Sequence, residues 1–436
     1  MLLLLRATPG RRPSDLANTL RLDTSSLTGH LDRLVEQGFV ERRPDADDRR
    51  ATRVCVTASG SALLAQLEPI GAALRDLDPD LGGGDRTAAT EAQRALAEIH
   101  DAVRQVGEAF SRVDRAIVPR TADRPILRIA TMTAGDAIGG RTLTRFAELV
   151  RERTSDDIGV ETTLSYREPG GELNLLVDVR AGRLALIGVT AAVAGTLVPL
   201  SQALELPYLF DDPAHARRVL DGPFGCDVLA QIDAQGLLGL GIAANGYRSL
   251  TTRDTPVRTP TDMHGLHLRT QQAPVNVYFA ESLGAIAVPL PFERLTDALR
   301  DGDVDAQENA LANIVELELW REQRYLTLSE HHASCLVLMG NPMAFAALGA
   351  RRTLVESALR DAIAETAAAG ARFERESLAQ LEARMTVVRL TSAERAAFVA
   401  HTRLTHDRMA LALGEAALEH LRAAVDHARH LPALAH

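Results

Sequence analysis

No lysine occurs in the 436 residues, so all 48 basic side chains are arginine. Together with the excess of Ala and Leu, that absence reads as the coding bias of a GC-rich genome rather than as function. Cysteine is scarce too: Cys55, Cys226 and Cys335 are odd in number and far apart. They leave no zinc-ligand spacing and suit a reducing compartment. No apolar run reaches the roughly 18 residues that a membrane span requires. The opening Met1-Leu2-Leu3-Leu4-Leu5-Arg6 is shorter than the roughly 7–15 apolar residues of a signal peptide, and no small-residue cleavage site follows. A cytoplasmic location is therefore expected. Catalytic signatures are also missing. There is no HExxH and no GxSxG, and Gly82-Gly83-Gly84 is not followed by the Lys-Ser/Thr of a P-loop. Neither an enzyme nor a bound cofactor or metal is expected. His401, His406, His420, His427 and His430, set among Ala and Arg, read as a solvated helix face.

What is present is a chain too long for one ordinary core, with 46% hydrophobic and 24% charged residues, as in a soluble multidomain protein. The net charge of -10 is unevenly shared: residues 1–60 carry ten Arg against eight acids, a net of +2, which leaves -12 for the remainder. A nucleic-acid contact, if the chain makes one, belongs at the N-terminus.

Residues 12–57 read as a short helix, a turn, a longer helix and a charged hairpin. Leu16, Ala17 and Leu20 form one apolar face, and Leu27, Leu31 and Leu34 form the next, after N-cap chemistry at Thr24, Ser25 and Ser26. Gly38 closes that helix. Phe39–Arg42 and Arg53–Thr57 alternate like two strands around a polar, turn-rich loop. Such a helix would expose Ser26, Thr28, His30 and Arg33 to a major groove, with hairpin arginines meeting phosphates. An ordinary helical hairpin with a charged loop accounts for the same pattern. The run "LANTLRLDTSSLTGHLDRLVEQGFVERRPDADDRRATRVCVTASG" resembles the MarR family of winged-helix regulators. The resemblance implies a recognition helix bearing Ser26, Thr28, His30 and Arg33, and a wing bearing Asp48, Arg49 and Arg50. It also implies double-stranded operator DNA as a partner. Only "MLLLLRATPG" stands where the family has a longer first helix.

After the break at 79–84, apolar residues fall at Ala89, Ala92, Leu96, Ile99, Val103, Val106, Phe110, Val113 and Ile117, in steps of three and four. That seam requires another helix, either within its own domain or across a homodimer. Pro119 stops it. The expected domains are a winged helix at 1–60, a helical dimerisation segment at 61–118, a linker at 119–126 and a ligand-binding domain at 127–430.

From residue 126 onward strand and helix patterns alternate, with strands expected over 127–132, 160–164, 185–189 and 237–243 and a helix over 142–154, which indicates an α/β domain. Arg269 ends the apolar run "GLHLR", where packing gives an arginine no role. A guanidinium there offers a fork matched to a carboxylate, or forms a salt bridge with a neighbouring acid. The segments "LELPYLFDDPAHARRVLDGPFG", "NGYRSLTTRDTPVRTPTDMHGLHLRT" and "LGAIAVPLPFERLTDALRDGDVDAQENALANI" resemble the DctP family, the solute-binding components of TRAP transporters. This resemblance implies a two-lobed, periplasmic-binding-protein-like fold that closes on a small organic carboxylate. It implies Arg269 and Arg248 as the ligand arginines, Asn309 as a further ligand to the carboxylate, and Glu172 and Phe292 as pocket residues. Leu173 stands where the family has an arginine. The combined expectation is a ligand-responsive transcription regulator, the alternative being a solute-binding protein for a TRAP-type transporter.

Overall fold

The computed structural model describes residues 35, 40–44, 52–57, 124–167 and 170–431. The recognition-helix and wing residues Ser26, Thr28, His30, Arg33, Arg49 and Arg50, and the seam from Ala89 to Ile117, lie outside the described residues. The chain divides into two compact units, Met1–Pro119 and Arg120–His436. In the first, β1 (Val40–Pro44) and β2 (Thr52–Val56) form an antiparallel pair, with Val40 opposite Val56 and Arg42 opposite Val54. This is the hairpin expected from the alternation.

In the second unit the elements run β3 (Ile126–Thr131), α1 (Ile138–Arg153), β4 (Gly159–Thr163), α2 (Gly171–Arg180), β5 (Leu186–Thr190), α3 (Pro213–Leu220), α4 (Pro223–Ala234) and β6 (Leu238–Thr252). Then come β7 (His267–Thr270), α5 (Pro274–Ser282), β8 (Ile286–Pro289), α6 (Leu295–Asp301), β9 (Ala306–Ala310), α7 (Leu311–Glu316) and β10 (Tyr325–Gly340). The chain ends with α8 (Arg352–Glu382), β11 (Thr386–Arg389), α9 (Ser392–His401), α10 (Arg403–Leu413) and α11 (Glu415–Arg429). One mixed sheet of nine strands has the order β4-β3-β5-β10-β6-β9-β7-β8, with β11 added beside β10.

Apolar side chains divide this sheet into two lobes. Ile129, Phe146, Leu186, Ala243, Leu336 and Val355 belong to cores on the β3–β5 side, whereas Leu250, Leu268, Phe279, Leu299 and Leu326 belong to cores on the β7–β9 side. Strands β6 and β10 cross between the lobes, and both are irregular at the crossing. Their pairing shifts register between Thr327 and His332 and again between Ala333 and Cys335. Gly246 lies at φ 85° and Glu330 at φ 46°. A strand pair with bulges at its midpoint bends more readily there than within either ladder.

Two expected elements are longer than their sequence patterns. β6 continues nine residues past Ala243, because β10 and β9 supply ladder partners to a segment, "ANGYRSLTT", that reads locally as a turn. Helix α1 begins at Ile138 rather than Thr142. Its first turn crowds the preceding loop, where a Cβ on Gly140 would come within 1.9 Å of the Ala134 carbonyl oxygen, so only glycine fits. The adjacent Gly139 N–H donates to Asn245 Oδ1 at 3.0 Å, which ties this turn to β6. Of the C-terminal histidines, His406 departs from the expected solvated face. It is half-buried, and its Nε2 lies 2.8 Å from the Pro207 carbonyl. No helix among the described residues is long and apolar enough to cross a membrane.

Candidate ligand-binding site

One cleft lies where strands end: Met132 and Thr133 follow β3, Thr190 ends β5, Arg269 is the penultimate residue of β7, and Asn309 is near the end of β9. Carboxyl ends of strands in α/β sheets open into such crevices because the connecting loops diverge there. The free space is about 100 Å³, enough for a small acid or several waters. All five residues anticipated for the ligand site, Glu172, Arg248, Arg269, Phe292 and Asn309, line this one cleft. They come from both lobes, with Glu172 on α2 and Arg269, Phe292 and Asn309 on the opposite side.

The two arginines differ in what holds them. Arg248, 1% exposed, donates from Nε and Nη2 to the two carboxylate oxygens of Glu308, the latter at 2.9 Å, and from Nη2 to the Glu308 carbonyl at 2.7 Å. The Arg248 charge, with help from His331, holds the Glu308 carboxyl far below the usual range despite its burial. His331 Nε2 stands 3.4 Å from the same carboxylate, Nδ1 meets Ser329 Oγ at 2.8 Å, and the ring stacks on Phe279. Arg269 is equally buried but has no carboxylate partner. Its Nε and Nη2 both donate to the Leu290 carbonyl, at 3.0 and 2.6 Å, and Nη1 has no partner. Burial and the like charge of Arg248 pull the Arg269 guanidinium down to about 10. A desolvated cation with an unused donor is a site organised for an anion.

Glu172 does not point at open solvent. Its oxygens accept from the Thr190 N–H at 2.7 Å and the Thr190 hydroxyl at 2.8 Å, and burial raises its pKa. Phe292 forms an apolar wall, with the Arg167 guanidinium 5.0 Å above its ring. Asn309 accepts from Asn313 Nδ2 at 2.8 Å and donates to Gln307 Oε1 at 3.3 Å. Leu173 also lines the cleft and is 47% exposed.

Glu308, His331, Gln271, Glu293 and Asn313 were not anticipated. One signal was available: "AQENA" places three polar residues in a row between apolar segments, and in the structure all five positions are buried. A strand with polar groups on both faces in a sheet centre marks a functional interior. Glu308, His331 and His332 are close enough to share an ion. The Arg248 guanidinium already occupies that carboxylate, which opposes a second cation there.

A model of the bacterial extracellular solute-binding protein family 7, DctP, matches residues 129–412. The chain belongs to this family. A MarR family model matches residues 1–52, so the DctP chain carries a MarR-like segment ahead of its binding unit. A solute-binding protein of Verminephrobacter eiseniae is 32% identical over 68% of this chain and 89% of its own length. The C4-dicarboxylate-binding periplasmic protein DctP of Rhodobacter capsulatus is 28% identical over 70% of this chain and 93% of its own. Among solved structures, the sugar acid binding protein of Advenella mimigardefordensis in complex with galactonate superposes with a TM-score of 0.66 at 28% identity. It covers 70% of this chain and 99% of that one.

Proposed function

We propose that this DctP-family chain is a non-enzymatic, cytoplasmic, ligand-responsive transcription regulator. Its two-lobed unit captures a small organic carboxylate, and its MarR-like segment binds double-stranded operator DNA as a homodimer. The observation that carries the ligand half is Arg269: buried, cationic, unneutralised, and with Nη1 unused in the cleft. In this reading Arg269 grips the carboxylate, and Arg248 and Asn309 complete the contact. Glu172 and Phe292 shape the wall. The MarR match at 1–52 supports the DNA half, with Ser26, Thr28, His30 and Arg33 reading bases and Arg49 and Arg50 meeting phosphates. Carboxylate capture becomes a signal only if it favours one of two global states, and lobe closure around β6 and β10 supplies two such states.

A second reading, a solute-binding protein for a TRAP-type carboxylate transporter, is supported by relatives that are named solute-binding proteins. Titration of the full chain against duplex fragments from its own genomic neighbourhood separates the two. A regulator retards DNA at low salt, loses affinity steeply as salt rises, and changes affinity about 5- to 150-fold when ligand saturates. No retarded species at low salt would leave the transport reading.

A further inference from the structure

We propose that the cleft selects a hydroxylated monocarboxylate over a dicarboxylate, with Glu293 and Asn313 as the residues that impose the choice. This rests on the reading of the cleft as a carboxylate site and concerns the groups beyond Arg269. Among the cleft-lining side chains, the buried polar atoms without partners are one donor, Arg269 Nη1, and three acceptors: Gln271 Oε1, Glu293 Oε2 and Asn313 Oδ1. A ligand that satisfies them presents an anion to Arg269 and hydrogen-bond donors to the three acceptors.

The acceptor character of Glu293 and Asn313 is built in. An ionised carboxylate has no donor. The Asn313 amide is oriented by a chain of buried hydrogen bonds that starts at two backbone carbonyls. The carbonyls of Asp305 and Glu322 only accept, so Gln323 turns Nε2 toward them and Oε1 toward Thr251. The Thr251 hydroxyl spends its proton on Gln323 Oε1 and therefore receives Gln307 Nε2. That leaves Gln307 Oε1 for Asn309 Nδ2, and Asn309 Oδ1 for Asn313 Nδ2. Asn313 Oδ1 is what remains at the cleft. Turning this amide over would set its oxygen against Asn309 Oδ1, and turning the whole chain over would set Gln323 Oε1 against the two carbonyls. Of the three acceptors, Gln271 alone has no hydrogen bond that fixes its amide.

Charge leads to the same conclusion. Arg248 is neutralised by Glu308, so Arg269 is the one guanidinium of the described lining without a carboxylate partner, and the charges of Glu308, Glu293 and Glu172 favour its cationic form. The second carboxylate of a dicarboxylate brings only acceptors and a second negative charge to Glu293 Oε2 and Asn313 Oδ1. Ligand hydroxyls donate to both. Leu173 at the mouth adds no cation.

The test is isothermal titration of the full chain with glycerate and gluconate as hydroxylated monocarboxylates, propionate as the bare monocarboxylate, and succinate as the dicarboxylate. Glycerate or gluconate is expected to bind at least tenfold more tightly than propionate and succinate. Glu293→Gln, which keeps size and supplies a donor, narrows the preference over succinate at least tenfold. Asn313→Leu reduces hydroxy-acid affinity and spares propionate. Thermal melts of each variant verify folding. Succinate binding as tightly as the better hydroxy acid, or an unchanged preference in folded Glu293→Gln, overturns the proposal while leaving carboxylate capture standing. If none of the four acids binds, the carboxylate reading falls and this proposal falls with it.

Discussion

Glu308 holds Arg248 through Nε and Nη2, while its neighbour Arg269 in the same cleft is left without a carboxylate partner. Two guanidinium groups in one wall thus do different work, and substitution separates them.

Arg269→Ala is expected to abolish ligand response with a smaller loss of folding stability than Arg248→Ala. Removing one side of a desolvated charge pair costs about 2–5 kcal/mol of binding, roughly 30- to 5,000-fold. Arg269→Lys fails as well, because an ammonium cannot reproduce the fork. Calorimetry showing wild-type affinity in Arg269→Ala would remove this residue from the site.

Arg248→Ala strands the Glu308 carboxylate, and breaking a buried pair in this way costs about 3–5 kcal/mol. The double variant Arg248→Ala/Glu308→Gln recovers much of that loss, because no buried charge remains unpaired. Urea denaturation without ligand measures both. Equal stability of the single and double variants would contradict the clamp.

Glu205 is 1% exposed, and its best contact is a 3.4 Å bond from the Ala192 N–H. Burial pushes its carboxyl from 4.5 up to about 7. The folded state therefore holds a proton that the unfolded state has released. Stability from this group is full below about pH 4.5 and is lost as pH rises through 7, by about 3 kcal/mol in all. Glu205→Gln should gain stability relative to wild type between pH 5 and pH 8. A difference that stays constant across that range would be evidence against the shift.

Glu316 on α7 joins the lobes across the cleft: Ser165 Oγ donates to its Oε1 at 2.6 Å and Arg167 Nη2 at 2.5 Å, while Arg167 lies over Phe292. Glu316→Ala should release ligand about fivefold faster, equivalent to about 1 kcal/mol for a partly exposed pair, with little change in melting temperature. Stopped-flow displacement measures the rate. An unchanged rate would mean that the contact does not hold the lobes closed.

The strands β3, β4 and β5 and the body of α1 were legible because apolar periodicity is local, and a residue's neighbours two or four positions away reveal which face is buried. The β1–β2 hairpin was legible for the same reason. β6 beyond Ala243 was not. Asn245, Gly246 and Ser249 oppose a strand by local preference, and the ladders of β9 and β10, from far along the chain, override that preference. His406 read as surface because nothing in its own helix shows Pro207 waiting opposite it.

By itself the sequence determined the α/β class, the kinship with DctP and MarR proteins, and five side chains of the cleft. The class follows from strand and helix patterns within single segments, the kinship from ordered motifs, and the cleft residues from the DctP resemblance that those motifs carry. Only the tertiary structure decided which arginine is neutralised and which atoms of the wall are left without partners. Arg248 and Glu308 are 60 residues apart, and the orientation of Asn313 depends on a carbonyl at Glu322 reached through Gln323, Thr251, Gln307 and Asn309. A hydrogen bond is directional and is completed in space, so its partner cannot be read from the residues on either side of it.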